Sequence, residues 1–323
     1  MTVDQQAKDA VTCTTLNYDS SDGQTKIHAL RWDPVGDAAS APVGIVQIVH
    51  GMVEHVERYD DFARFLAANG YVVCAADLIG HGQSVSSPER RGELPENGAQ
   101  VMVNDVHTLR VIVSRSYSAD TPYFLFGHSM GSFIVHAYLA RYGKGLAGAV
   151  ICGTGQQPIV LSKLAAAISR NIGRRKGFDY HSSLLDGFAI DSYAKAIKNA
   201  RTPFDWLSTD PAKVDEYIED PACGVMFSVG GYASLTDLTA ETASKACNAA
   251  VPDGLPVLFI AGDQDPVGDN GKGVRAAAET MKRYSKAQVE TIIYKGMRHE
   301  ILNELRHDEV YADVLKWIAR NGK

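Results

Sequence analysis

Apolar runs with strand character alternate with helical periods over most of this chain. Residues 12–18 and 27–32 interleave polar and apolar positions around the turn Ser20-Ser-Asp-Gly23, which predicts an antiparallel pair. Residues 43–49 form a β-branched apolar run with little alternation, the pattern of a strand buried on both faces. Residues 71–76, 123–126, 146–151, 256–261 and 287–294 complete eight predicted strands. Helical periodicity runs over 58–69, stopping at Gly70, and over 99–117, 132–142, 273–284 and 304–321. Strands separated by helices in this way predict a mostly parallel α/β sheet flanked by helices.

Between about 153 and 245 the alternation stops. Helical segments, glycines and aromatics follow one another there without a buried parallel strand, and the strand pattern resumes at 256. The middle therefore reads as a helical cap inserted after the sixth strand, dividing the chain into core (1–152), cap (153–245) and core again (246–323). Open α/β sheets bind ligands beyond the carboxyl ends of their strands, so an insertion leaving from such an end covers that site.

One short motif gives this architecture a chemistry. In Phe124-Leu-Phe-Gly-His-Ser-Met-Gly-Ser132, Gly127 and Gly131 bracket Ser129 as G-x-S-x-G, between a strand and a helix. That order suits a nucleophile elbow, whose strained turn leaves no room for side chains two residues to either side of the serine. A serine hydroxyl is protonated at neutral pH and needs a histidine to take its proton and a carboxylate to orient that histidine. Both are expected later in the chain, in loops following strands. The strand at 256–261 runs into Gly262-Asp-Gln-Asp265-Pro-Val, and that at 287–294 into Gly296-Met-Arg-His299-Glu. His299 reads as the base. Asp263 is placed to bond its own turn, whereas Asp265 lies further into the loop beside Pro266 and is the better-placed acid. The oxyanion formed on attack needs two backbone N–H donors. Met130 supplies one, and the loop His50-Gly-Met-Val-Glu54-His55 the other, through Met52. His50, His55, His81, His128 and His136 read as structural, and Glu54, Arg58 and Asp77 as a charge network beneath that loop.

Composition narrows the alternatives. The 323 residues are 45% hydrophobic and carry a net charge of -6, which gives no electrostatic case for nucleic acid. No run reaches membrane-span length and no secretory signal is visible. Five scattered cysteines, an odd number without C-x-x-C spacing, read as free thiols in a cytoplasmic protein. The segment Gly143-Lys-Gly145-Leu-Ala-Gly148 fits G-x-G-x-x-G but follows a helix and precedes a strand, the wrong order for a dinucleotide. The His and Cys spacings give no structural zinc site.

The elbow resembles that of the α/β-hydrolases, and more narrowly the monoacylglycerol lipase and lysophospholipase-like branch, of serine aminopeptidase S33 type. So do His50-Gly-x-x-Glu-His55 with Glu57-Arg-Tyr59, Asp77-x-x-Gly-His-Gly-x-Ser84, and Gly296-Met-Arg-His299-Glu-Ile-Leu-Asn-Glu304. Pro203-Phe-Asp-Trp-Leu-Ser208 and Asp215-Glu-Tyr217-Ile-Glu-Asp-Pro-Ala-Cys-Gly224 resemble the cap of bacterial members. The resemblance spans residues 12 to 320. It implies an α/β-hydrolase fold and a serine ester hydrolase without cofactor or metal. By matching positions it assigns Ser129, Asp265 and His299 as the triad, with Met52 and Met130 lining the oxyanion hole. A small-molecule ester with a medium-to-long acyl group, a monoacylglycerol above all, is the implied substrate; lysophospholipase, thioesterase and peptidase are alternatives on the same triad. A non-catalytic binding protein would be expected to have lost one of the three.

Phe178, Phe188, Phe204, Trp206, Phe227 and Tyr232 fall in the cap. Phe178, Phe204, Trp206 and Phe227 are candidates for an acyl-binding wall, although a cap's aromatics also form its own core. Residues 159–172 read as an apolar-rich helix followed by Arg174-Arg-Lys176. It reads as a lid over the site, or as a surface making transient contact with lipid.

Overall fold

The computed structural model describes residues 11–36 and 41–322, and the side chains of these except 188–191. All eight predicted strands form one sheet: β1 (Thr12–Asp19), β2 (Lys26–Asp33), β3 (Gly44–Val49), β4 (Tyr71–Ala76), β5 (Tyr123–His128), β6 (Gly148–Cys152), β7 (Pro256–Gly262) and β8 (Gln288–Tyr294). Their order is β1-β2-β4-β3-β5-β6-β7-β8. β2 runs antiparallel to both β1 and β4, and every other neighbouring pair is parallel.

The period of two along the strands sorts the core onto two faces. Ile45, Val49, Leu125, Ile151 and Phe259 join one apolar cluster; Val46, Ile48, Phe126, Val150 and Ile260 join the other. Helix α1 (Asp60–Ala68) packs into the second cluster through Phe62 and Leu66. Helices α2 (Gly98–Ser114) and α3 (Met130–Tyr142) cover the first. Ends differ from the sequence reading where short 3-10 turns, Val56–Tyr59 and Ile301–Asn303, take up residues next to a helix. Helix α3 begins at Met130 rather than Ser132, because Gly131 in the elbow is helical although glycine reads as a breaker.

Between β6 and β7 the chain forms α4 (Ile159–Lys176), α5 (Ser183–Ala196), α6 (Pro211–Glu219), α7 (Val229–Thr242) and α8 (Lys245–Ala249). The small buried residues Ser162, Ala166, Ser169 and Gly173 let α4 lie close against α7, where the Thr239 hydroxyl donates to Ser162 Oγ at 3.1 Å. The opposite face of α4 leaves Val160, Leu161, Leu164 and Ile168 exposed. Helices α9 (Lys272–Tyr284) and α10 (His307–Asn321) complete the two outer layers. No described helix is long and apolar enough to cross a membrane. The five cysteines are free, Cys13 exposed and the others buried.

Candidate active site

The strand–helix junction at the centre of the sheet turns on one residue. β5 ends at His128, α3 starts at Met130, and Ser129 between them has φ 52° and ψ -120°. A non-glycine residue so placed costs about 1–3 kcal/mol and persists where its surroundings fix it. The Ser129 N–H donates to Cys152 O on β6 at 2.9 Å, and the Ser129 carbonyl accepts from Ser132 N at 2.9 Å and Ser132 Oγ at 2.5 Å. A Cβ on Gly127 would run into the Gly131 carbonyl, and one on Gly131 into the Val49 and His50 carbonyls. The two glycines thus let the elbow close on itself and on the end of β3.

Two later loops meet this turn. Asp265, fully buried beyond β7, presents both carboxylate oxygens to His299 Nδ1 at 3.0 Å. It also accepts from Val267 N at 2.9 Å. Asp263 instead accepts from Gly296 N at 2.7 Å and closes the loop after β8. With Nδ1 engaged, His299 turns its other nitrogen away from the carboxylate, and His299 and Ser129 line the same cavity.

The loop after β3 forms the third wall. Glu54 Oε1 accepts from Gly51 N at 2.5 Å and from Tyr59 Oη at 2.8 Å. Burial pulls the His50 pKa down, and the neutral ring bridges the Gly51 carbonyl and Leu78 N. Met52 and Met130 both border the cavity beside Ser129, and Met130, as the first residue of α3, has an N–H without a helical partner. Arg58 joins Glu54 to Glu300 at 2.6–2.7 Å. Asp77, expected in that network, stands apart from it: at the end of β4 it accepts from Val56 N and Gln83 N and pairs with His28. Its place is taken by Glu300 and by His128, whose Nδ1 lies 3.0 Å from Tyr59 Oη and 3.3 Å from Glu54, and whose Nε2 lies 3.2 Å from the His299 carbonyl. Burial alone would lower the His128 pKa, but its bond to the Glu54 carboxylate and that charge outweigh it, and the net shift is upward. Burial likewise opposes ionisation of Glu54 and Glu300, yet His128 and Arg58 hold both carboxyls below the usual range.

Residues 40–306 match the family model described as serine aminopeptidase, S33. The chain belongs to this family. A monoacylglycerol lipase of Mycolicibacterium smegmatis is 28% identical over 294 residues, covering 89% of this chain and 91% of that protein. A mouse monoglyceride lipase is 28% identical over 306 residues, covering 93% and 88%. A thermostable carboxyl esterase from Bacillus coagulans, solved in complex with glycerol, superposes with a TM-score of 0.89 at 31% identity, over 97% of this chain and 99% of that one.

In this S33 family member the cavity encloses about 820 Å³, its mouth included, and most of its exposed wall is apolar. Of the four expected aromatics it takes Trp206 alone. Phe227 is 1% exposed, packed on His81 and Tyr232. Phe204 packs against Tyr217, tilted with ring centroids 5.2 Å apart, in the cap's own small core, and Phe178 packs against Gly173 of α4. The side chain of Phe188 lies outside the described residues. Phe133, Tyr193, Tyr217, Leu235 and Val267 line the wall instead. Leu235 and Thr239, one turn apart on α7, both border the cavity, a helical spacing that the sequence carries.

The cap also grips the histidine loop. Arg298 Nη1 donates to Asp205 O at 2.5 Å and to Ser208 O at 3.0 Å, His299 N to Trp206 O at 3.4 Å, and Glu300 N to Leu207 O at 2.7 Å. The Trp206 ring lies 5.1 Å from the imidazole of His299. On the other side His55 Nε2 pairs with Asp220 Oδ2 at 2.7 Å, with the Cys223 sulfur close by.

Proposed function

We propose that Ser129 is the nucleophile, His299 the general base and Asp265 its orienting acid, with the Met52 and Met130 N–H groups as oxyanion donors. The chain is an ester hydrolase of the monoacylglycerol lipase and esterase type. Ser129 Oγ attacks the ester carbonyl while its proton passes to the free nitrogen of His299. The carbonyl oxygen, now negative, accepts from the two N–H groups. Collapse breaks the ester C–O bond, and His299 returns the proton to the departing alcohol. Water repeats the sequence on the acyl-enzyme and releases the acid. Asp265 holds the imidazole in the tautomer this needs and stabilises its cation. The observation that carries the reading is the two-oxygen contact of Asp265 with a buried histidine that shares a cavity with the strained Ser129.

The apolar cavity wall and the monoacylglycerol lipases among the relatives support a single medium-to-long acyl chain as the acid part. An aminopeptidase would need an uncommitted carboxylate for the substrate's ammonium group. Among the described residues the carboxylates on the cavity wall are Glu54 and Glu300, and both are engaged by Arg58. The exposed apolar face of α4, ending in Arg174, Arg175 and Lys176, supports transient contact with a lipid surface.

A panel of p-nitrophenyl esters and aminoacyl p-nitroanilides tests the reaction class. The expected outcome is turnover of octanoyl over acetyl ester, none of the anilides, and a loss of about four orders of magnitude or more in Ser129→Ala. Anilide turnover, or an ester rate untouched by Ser129→Ala, overturns the reading.

A further inference from the structure

The left-handed backbone region holds five described residues that are not glycine: Val53, Ser129, Asn199, Asp269 and Asn270. Asparagine and aspartate visit it readily, and Ser129 belongs to the elbow. Val53, at φ 49°, is the exception, because a β-branched side chain there is crowded against its own backbone. Such a conformation needs outside restraint, and the loop's flanks are already fixed by Gly51 N on Glu54 and Val56 N on Asp77. The Val53 side chain is buried in the core cluster, and the hydrogen-bonded restraint on its carbonyl comes from the cap. The Val53 carbonyl accepts from Gly224 N at 2.9 Å and from Tyr217 Oη at 3.3 Å, both on the cap's α6–α7 side. Tyr217 is 5% exposed, and burial pushes its phenol well above the ordinary range, so it remains a protonated donor.

From this geometry we infer that Tyr217 and Gly224 are positioning residues: by clamping the Val53 carbonyl, the cap holds the loop after β3 in its strained form and so aims the Met52 N–H at the oxyanion. The inference rests on the reading of Met52 as an oxyanion donor. With both flanks pinned, a Val53 that relaxed to negative φ would have to reorient the peptides on either side of Met52. The clamp therefore ties transition-state stabilisation to the seating of this part of the cap. The described residues of α4 and α5 carry no part of it.

The clamp is tested with Tyr217→Phe, which keeps the ring and removes the donor. On a short p-nitrophenyl ester kcat falls about 3- to 10-fold with KM within twofold. Affinity for a plain alkylboronic acid, which forms a tetrahedral adduct on Ser129, falls by the same factor, while that for the product carboxylic acid does not. Gly224→Ala, whose φ of 62° disfavours a side chain and whose Cβ would stand 3.3 Å from the Tyr217 ring, gives the same selective loss through the second donor. In a Val53→Gly background, where φ 49° carries no penalty, Tyr217→Phe costs less than twofold. Unchanged kcat and boronate affinity in Tyr217→Phe overturns the clamp, as does a loss that persists undiminished with Gly at 53. If the boronic acid binds wild type and Ser129→Ala equally, the reading of the active site has failed, and the inference fails with it.

Discussion

His128 stands next to Ser129, yet its bonds run to Tyr59, Glu54 and the His299 carbonyl, which makes it a brace between two loops. Its raised pKa has a consequence for stability. The stabilisation from its proton is fully present below the unfolded value of about 6.5 and is lost as pH rises through the higher folded value. His128→Asn is therefore expected to lower the melting temperature more at pH 6 than at pH 9, with equal shifts at the two pH values contradicting it. Glu54 and Glu300, depressed in the fold, act oppositely: their contribution is present above about 4.5 and is lost as pH falls through their folded values. Gly131→Ala places a methyl group against two fixed carbonyls and is expected to cost at least about 2 kcal/mol in urea unfolding. A loss below about 0.5 kcal/mol would show that the elbow can open. Gly127 and Gly131, two positions to either side of Ser129, announce themselves in sequence because a Cβ at either would meet backbone carbonyls. Glu300 and His128 do not, since pairing with Arg58 over 242 positions and with Glu54 over 74 leaves no local trace.

At the scale of elements, strands and core helices follow directly from periods of two and 3.6, because each buries a face against one continuous sheet. The cap does not read so easily. Its helices pack on one another through Ser162, Ala166, Ser169 and Gly173, small residues that sequence patterning does not mark as interface. Phe178 and Phe204 serve the cap's own packing and Phe227 packs down on His81 of the core, while Leu235 of α7 reaches the cavity. The unpaired apolar face of α4 is where an interfacial role belongs. Leu161→Glu combined with Leu164→Glu is expected to reduce co-sedimentation with anionic phospholipid vesicles several-fold while turnover of a soluble short-chain ester stays within twofold. Undiminished sedimentation would assign that face no lipid contact.

For the whole molecule, the sheet's parallel block brings Ser129, Asp265 and His299 together from positions 34 to 170 residues apart, each just beyond the carboxyl end of a strand. The placement of all three was legible in the sequence because that edge of an α/β sheet is where its loops converge. Which acyl group enters was not, since cap packing decides it. The two acids give a sharp check on the assignment: Asp265→Asn is expected to lower kcat by about 10⁴-fold, and Asp263→Asn to leave it within a few-fold. The reverse order would exchange their roles. The central claim, that Ser129 forms the covalent intermediate, is tested most directly by reaction with an alkyl fluorophosphonate followed by peptide mass mapping. One phosphonyl group on the peptide bearing Ser129, gained in step with loss of ester hydrolysis, is the predicted result; full inactivation with that peptide unmodified would contradict it.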